Sequence, residues 1–489
     1  MNKYYSILII ALALTLYACS EQTGTKEVTK KQRPKNILFI AIDDLKPELG
    51  CYGDTFIISP NIDRLASEGF VFTNNHCQQA VCAPSRASIL TGKRPDYTKV
   101  WDLKTLIRDK NPDIITMPQY FKSLGYQTAA VGKIFDYRSV DKGADSVSWT
   151  FPFVNVKNTN PKGGGYIFET RRVATEAPDV DDSLTIDGEV VKHSIAYLDQ
   201  FAKEDKPFFL AVGFFKPHLP FVAPKKYWDL YKREDIQLAP YRDAPVGAPS
   251  YAPQPGWELR TIYKDIPRDF DTPIPEEKQK ELIHGYYACV SFIDVQVGKV
   301  IQELDRLGLR ENTVIVLWGD HGWHLGDHSM WCKHTNYEQA TRAPLIFSVG
   351  DSLIGRSGAP VEFVDVYPTL CALAGVEAPD SLHGLSLIPL MKGDTDKVKD
   401  FAVSQFPRGD KMGYAFRNER YRYVIWLKNH FTSDQLYADS LVADEELYDY
   451  EKDPLETRNL VSDSAYQKVK EQMHQQAVDY FQAYRAQIK

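Results

Sequence analysis

Four apolar runs of strand length, each stopping at ionisable side chains, constrain this chain more than any other feature. Asn36 to Ile42 (NILFIAI) ends at Asp43 and Asp44, and Gln127 to Val131 leads through Gly132 to Lys133. Pro207 to Phe215 gives way to Lys216, Pro217 and His218, and Thr313 to Trp318 stops at Gly319, Asp320 and His321. Uninterrupted apolar character over such a length marks strands buried on both faces, as in a parallel sheet covered by helices. The strand ends of such a sheet gather on one edge, where α/β folds bind their ligands. Residues nearly 300 positions apart thus acquire a place to meet.

The segments between these runs alternate with them. Asn61 to Glu68, Met117 to Leu124 and Gly188 to Lys203 carry helical spacing, and Phe70 to Thr73 has strand content. Pro275 to Leu307 reads as mostly helix with a switch near Cys289 to Asp294, and Val361 to Leu373 begins a further helix. The alternation predicts an α/β domain over residues 36–393. Beyond the charged linker Asp394 to Asp400, short strands at Phe401 to Ser404, Gly413 to Arg417 and Tyr421 to Leu427 precede an amphipathic helix, Ser464 to Gln487. They predict a smaller α+β subdomain over residues 394–489. Residues 140–185, with Gly163 to Gly165, read as loops and insertions, and the Pro-, Tyr- and Asp-rich 239–275 as a long surface excursion.

At the N-terminus, Lys3 precedes an apolar run from Ile7 to Leu16, too short to span a bilayer and of the length of a secretory signal. Leu16-Tyr17-Ala18-Cys19 resembles a bacterial lipobox. It predicts a lipoprotein signal peptide over 1–18, acylation of Cys19, and a flexible tether over 19–35 that anchors the chain to a membrane facing the periplasm or cell surface. The net charge of −7 supplies no global basic field, which argues against nucleic acid as a partner, so any polyanionic substrate must be held by local Lys and Arg. Seven cysteines without a C-x-x-C pair give no zinc signal.

The stretch Val81 to Gly92, VCAPSRASILTG, adds a reactive element. Pro84 suits a first helical turn, and a helix starting near Cys82 aims free backbone N–H groups at that side chain, with Arg86 adding a forked cation. A buried cysteine beside a helix start is otherwise ordinary packing. Asp43, Asp44, Asp320 and His321 offer mostly hard oxygen donors, which suit Ca²⁺ or Mg²⁺. Lys133 and Lys333 are candidate point charges for an oxyanion. His218, restricted between two prolines, is a residue able to pass a proton near neutral pH.

Taken together, C-x-P-S-R with L-T-G, the Asp43-Asp44 pair and the run GDHGWHLGDHSMWCKHTNYEQATRAPL from Gly319 to Leu345 resemble the type I sulfatases, and their iduronate-2-sulfatase branch most. Lys216-Pro217-His218-Leu219-Pro220-Phe221 matches the same branch, and Tyr421-Arg422-Tyr423, Glu446 to Asp449 and Asp453-Pro454 resemble the family's C-terminal subdomain. The resemblance implies an alkaline-phosphatase-like fold, with a central mixed sheet flanked by helices and a smaller C-terminal α+β subdomain. It implies oxidation of Cys82 to formylglycine, whose hydrate is the nucleophile, by a formylglycine-generating enzyme or an anaerobic maturase. It implies one Ca²⁺ held by Asp43, Asp44, the side chain at 82, Asp320 and His321. It implies that Arg86 and Lys133 hold the nucleophile, that Lys133 and Lys333 hold the sulfate, and that His218 acts as general acid.

One position departs from the branch, which has G-K-I-F-H where this chain has Gly132-Lys133-Ile134-Phe135-Asp136. Asp136 is open between a base, a partner of the metal region and a specificity residue. The expected activity is hydrolysis of sulfate esters on a polysaccharide or its oligosaccharides: an algal polymer such as ulvan or carrageenan, or 2-O-sulfated uronate of a glycosaminoglycan. Two alternatives stand beside it. A phosphohydrolase on this fold would carry Thr or Ser at position 82, and a glycan-binding protein would leave Cys82 unoxidised.

Overall fold

A computed structural model describes residues 35–159, 173–350, 353–429, 433 and 436–487. The signal and most of the tether, with Cys19, and Gly163 to Gly165 lie outside them. Residues 35–489 cluster as one compact unit, so the boundary expected at 393/394 falls inside it.

Seven strands form the main sheet: β1 (Asn36–Ile42), β2 (Phe70–Phe72), β3 (Gln127–Gly132), β4 (Phe208–Phe214), β5 (Thr313–Gly319), β6 (Leu345–Ser348) and β7 (Gly355–Ser357). Their order is β7-β2-β6-β5-β1-β4-β3. β1 pairs in parallel with β4 and β5, and β3 with β4, while β6 runs antiparallel to both its neighbours. The sheet is therefore mixed, with β1 central. Alternate residues of β1 explain its uninterrupted apolar run: Leu38, Ile40 and Ile42 enter one core and Ile37, Phe39 and Ala41 the other. The principal helices are α1 (Pro60–Ser67), α2 (Cys82–Thr91), α3 (Met117–Ser123), α4 (Ile186–Phe201), α5 (Trp257–Ile262), α6 (Glu276–Arg306), α7 (Val366–Ala374) and α8 (Gln467–Gln487). The first core takes side chains from α4 and α6, the second from α2, α3 and α7.

Three expectations are corrected. The switch near Cys289 to Asp294 is absent, and α6 runs unbroken for 31 residues. The polar residues that suggested a break serve a neighbour instead. Asp294 accepts from the backbone N–H groups of Ile62 (2.7 Å) and Asn61 (3.2 Å), capping α1, whose own N-cap residue Ser59 makes no side-chain cap. Val361 and Glu362 form a short strand paired with Asn75 and His76, and the α-helix starts only at Val366. The segment 239–275 is not confined to the surface: Leu259, Tyr263, Ile266 and Ile274 enter the first core.

The C-terminal strands β8 (Ala402–Arg408), β9 (Lys411–Arg417), β10 (Tyr421–Leu427) and β11 (Val442–Asp449) form an antiparallel meander. One face packs on α8 through Tyr414, Phe416, Tyr423, Met473 and Phe481. The other meets Ala252, Met330 and Tyr337. This second face positions the loop carrying Lys333. Asn336 donates to the carbonyl of Gly413 (3.1 Å), Arg422 to that of Asn336 (2.5 Å), and Arg408 to that of His334.

Two glycines let β3 and β4 close at the sheet edge. Gly132 has φ +76° and Gly213 accepts the backbone N–H of Lys133 at 2.9 Å. A Cβ on Gly213 would lie 2.2 Å from the Lys133 carbonyl oxygen and 2.6 Å from its nitrogen. Gly213→Ala is therefore expected to displace Lys133 and to cost about 1–3 kcal/mol, read as a lower urea midpoint together with reduced kcat.

Candidate active site

The four sheet-edge tips and the start of α2 converge. Cys82 is the first residue of α2, and Arg86, one turn later, lies on the same side, as i and i+4 positions do. Arg86 is fully buried. It donates from Nε to Asp320 Oδ2 (2.9 Å), from Nη2 to Asp43 Oδ1 (3.1 Å), and from Nη1 to the carbonyls of Lys133 and Ile134. One guanidinium thus ties the ends of β1, β3 and β5 together. Its face lies over Trp318, 5.5 Å from the ring centre.

Asp44 Oδ, Cys82 Sγ, Asp320 Oδ and a ring nitrogen of His321 lie within 4.8 Å of one another, all buried. Asp44 is at φ +60° and its N–H donates to Asp320 Oδ1 (2.9 Å), while its carbonyl accepts from Tyr286 (2.9 Å). The left-handed turn aims its carboxylate inward. His321 donates from Nδ1 to the carbonyl of Gly322 (2.9 Å), so Nε2 carries the lone pair that faces Asp44 Oδ1 (3.3 Å) and Cys82 Sγ (3.5 Å). Asp43 lies outside this group: Arg86 and Lys133 Nζ take its oxygens.

The cations flank the group. Lys333 Nζ is 2.9 Å from Asp44 Oδ1, 3.0 Å from Oδ2 and 3.1 Å from Glu258 Oε2, and sits over the Trp323 ring at 4.9 Å. His218 Nδ1 is 3.3 Å from Asp44 Oδ2, and its Nε2 lies 3.5 Å from Glu258 Oε1 and 4.0 Å from Asp43 Oδ2. Asp136 is buried but belongs to a separate pair: it accepts from Arg138 N (3.0 Å), Nε (2.9 Å) and Nη2 (2.7 Å). Burial would raise its carboxyl, but Arg138 and then Lys133 hold it below the ordinary range.

The electrostatics separate the acids. Burial raises Asp44 well above the usual carboxylate value, against the pull of Lys333 and with Asp43, Glu258 and Asp320 adding repulsion. Burial acts on Asp320 too, but His321, Arg86 and Lys133 outweigh it and hold the group far below that range. Asp43 is lowered, with Lys133 outweighing burial. Burial pulls His321 down to about 4, so it is neutral at physiological pH. Burial and then Asp43 push the Cys82 thiol well up. A protonated, buried thiol is a weaker nucleophile and metal ligand than a thiolate.

Those residues fit a hard divalent cation. Four carboxylates, Asp43, Asp44, Asp320 and Glu258, face three fixed cations, Arg86, Lys133 and Lys333. With all four carboxylates ionised, one formal negative charge is left over, near Asp44, which burial and then its like-charged neighbours raise. A divalent cation together with a monoanionic ester cancels it. Glu258, on α5, is a close participant with no signal in the sequence, since the segment 239–275 has neither periodicity nor a motif.

Comparisons with known proteins identify the family. The sulfatase family profile matches residues 35–376, and that described as "N-sulphoglucosamine sulphohydrolase, C-terminal" matches residues 326–483. The chain is 35% identical to the Homo sapiens iduronate 2-sulfatase over 509 aligned residues, covering 88% of this chain and 91% of that protein. A sulfatase of Formosa agariphila is 33% identical, covering 92% of this chain and 87% of the relative. A solved structure in complex with its substrate, D-glucosamine-2-N,6-O-disulfate, superposes with a TM-score of 0.72 at 22% identity, covering 93% of this chain and 98% of that one, and shares the fold. The chain belongs to the sulfatase family and is a sulfuric ester hydrolase.

Proposed function

We propose that the protein removes sulfate from sulfated sugars, within a polysaccharide or its oligosaccharides, using a formylglycine made from Cys82 and one Ca²⁺. The observation that carries this reading is the buried convergence of Asp44, Cys82, Asp320 and His321, flanked by Lys133 and Lys333. The names of the relatives, iduronate 2-sulfatase among them, support a sugar as the carrier of the ester. Glycosaminoglycan 2-O-sulfated uronate, ulvan and carrageenan are the candidate polymers. Acylation of Cys19 would keep the enzyme at a membrane, where fractionation should find it.

When present, hydrated formylglycine supplies the attacking oxygen and Ca²⁺ supplies positive charge beside the ester. The chain's own residues do the rest. Asp44, Asp320, His321 and the side chain at 82 would hold the metal. Arg86 fixes Asp43 and Asp320, and Asp43 in turn orients Lys133. Lys133 and Lys333 neutralise the sulfate oxygens as charge grows on them. His218 delivers a proton to the departing sugar oxygen. Burial first and Lys333 second disfavour its imidazolium, while Asp43 favours it.

Two measurements test this. Sulfate release from the three classes of oligosaccharide is expected for at least one, and none from the whole panel sinks the sugar reading. Metal removal is expected to lower the melting temperature, and Ca²⁺ to restore it by about 2.7 kcal/mol of stability at a hundredfold excess over Kd. Asp44→Asn should erase that increment. A Ca²⁺ response retained in that variant removes Asp44 from the metal site.

A further inference from the structure

Helix α5 stands apart from the four sheet-edge tips, yet its second residue reaches between Lys333 and His218, 3.1 Å and 3.5 Å away. Its placement is held. Gln254, only 6% exposed, donates from Nε2 to the carbonyls of Trp331 and Lys333, and its Oε1 accepts from the N–H of Gly256 (2.6 Å). One buried amide therefore ties the start of α5 to the segment from Trp331 to Lys333. Gly256, at φ +80°, packs against Trp331, where a Cβ would come within 3.2 Å of the Trp331 Cβ. The residue before Glu258, Trp257, is 58% exposed, with its ring 4.7 Å from that of Phe270.

A carboxylate is an odd neighbour for a sulfate. It repels the anion, and Lys333 is already met by both oxygens of Asp44. What a carboxylate does well is accept charge-assisted hydrogen bonds from neutral O–H donors. Glu258 Oε1 lies 3.5 Å from Nε2 of His218, the residue proposed to protonate the departing oxygen, so a hydroxyl that reaches this carboxylate while the ester sits at His218 belongs on the ring carbon next to the ester. An exposed tryptophan alongside offers a flat apolar face to a sugar ring.

We propose that α5 is the sugar-recognising element: Glu258 accepts a hydrogen bond from a free hydroxyl vicinal to the sulfate ester, and Trp257 stacks on the adjoining saccharide unit. The proposal rests on the sulfated-sugar reading and narrows it. The substrate ring must keep a free hydroxyl beside the ester, and a second sulfate or a carboxylate in that place is rejected by like charge.

The test compares the wild type with Glu258→Gln and Trp257→Ala on two esters. One is the oligosaccharide of the panel that is turned over fastest, and the other is 4-methylumbelliferyl sulfate, which has no hydroxyl beside its ester. Glu258→Gln is expected to lower kcat/KM for the oligosaccharide at least about 30-fold more than for the aryl ester, and Trp257→Ala to raise the oligosaccharide KM about tenfold. In the Cys82→Ala background, calorimetry should show the oligosaccharide binding at least about tenfold more weakly when Glu258→Gln is added. Equal kinetic losses on both esters, or unchanged binding, make Glu258 a positioning residue for Lys333 and His218 and overturn the proposal alone. A wild type that cleaves the aryl ester but no oligosaccharide overturns the sugar reading itself.

Discussion

Cys82→Ala is expected to abolish sulfate ester hydrolysis, lowering kcat by about 10⁴-fold or more, as loss of a nucleophile does. The fold should survive. The Sγ atom has His321 Nε2 at 3.5 Å and Asp44 Oδ1 at 4.0 Å as its polar neighbours among the described residues, and the helix that carries it is anchored by Arg86. A stability change of about 1 kcal/mol or less follows. Mass spectrometry of the wild-type peptide spanning residues 77–86 should find the aldehyde, and a purely thiol peptide in active enzyme sinks the formylglycine scheme. Activity retained in the alanine variant sinks the nucleophile assignment altogether.

Arg86→Met is expected to have the largest effect on stability. It removes the shared counterion of Asp43 and Asp320, both fully buried, and strands the carbonyls of Lys133 and Ile134. Breaking a buried charge network on one side costs about 3–5 kcal/mol. The pH dependence has a definite sign. In the wild type both carboxyls are held below their ordinary value, so their stabilising contribution is present above the unfolded carboxylate range and lost as pH falls through the folded values. The variant loses that contribution and raises both groups. Its deficit is thus greatest at neutral pH and shrinks as the buried carboxyls protonate on acidification. Denaturant melts at pH 7 and near pH 4.5 decide the matter: an equal deficit at both values counts against the charge argument. Ca²⁺ should recover part of the loss at neutral pH, since it also neutralises the acids.

Much of the architecture was legible because it rests on local pattern. β1, β4 and β5 are continuous apolar runs, and each borders strands and helices that bury both faces. The pairing of Cys82 with Arg86 follows from one helical turn. The strand β6 and the fourth C-terminal strand β11 escaped notice. β6 is only four residues long, and β11 carries Asp444, Glu445 and Glu446 in a stretch whose burial comes from the meander and from Trp426 and Tyr448. The break expected in α6 misled for a related reason. Ser291 and Asp294 look like interruptions along the helix, yet they bond to Ile58, Asn61 and Ile62 more than 230 positions away.

Sequence alone determined which chemistry the chain carries: acids, lysines and a histidine at strand tips, and a cysteine at a helix start, since hydrophobic period and turn residues act over a few positions. Tertiary structure decided how those groups share their charges. It gave Asp43 to Arg86 and Lys133, left Asp44 with Asp320, His321 and position 82, locked Asp136 onto Arg138, and brought in Glu258 from a segment with no periodicity. The physical reason is that a buried ion's energy depends on which partner stands within about 4 Å of it, and chain separation says nothing about that distance.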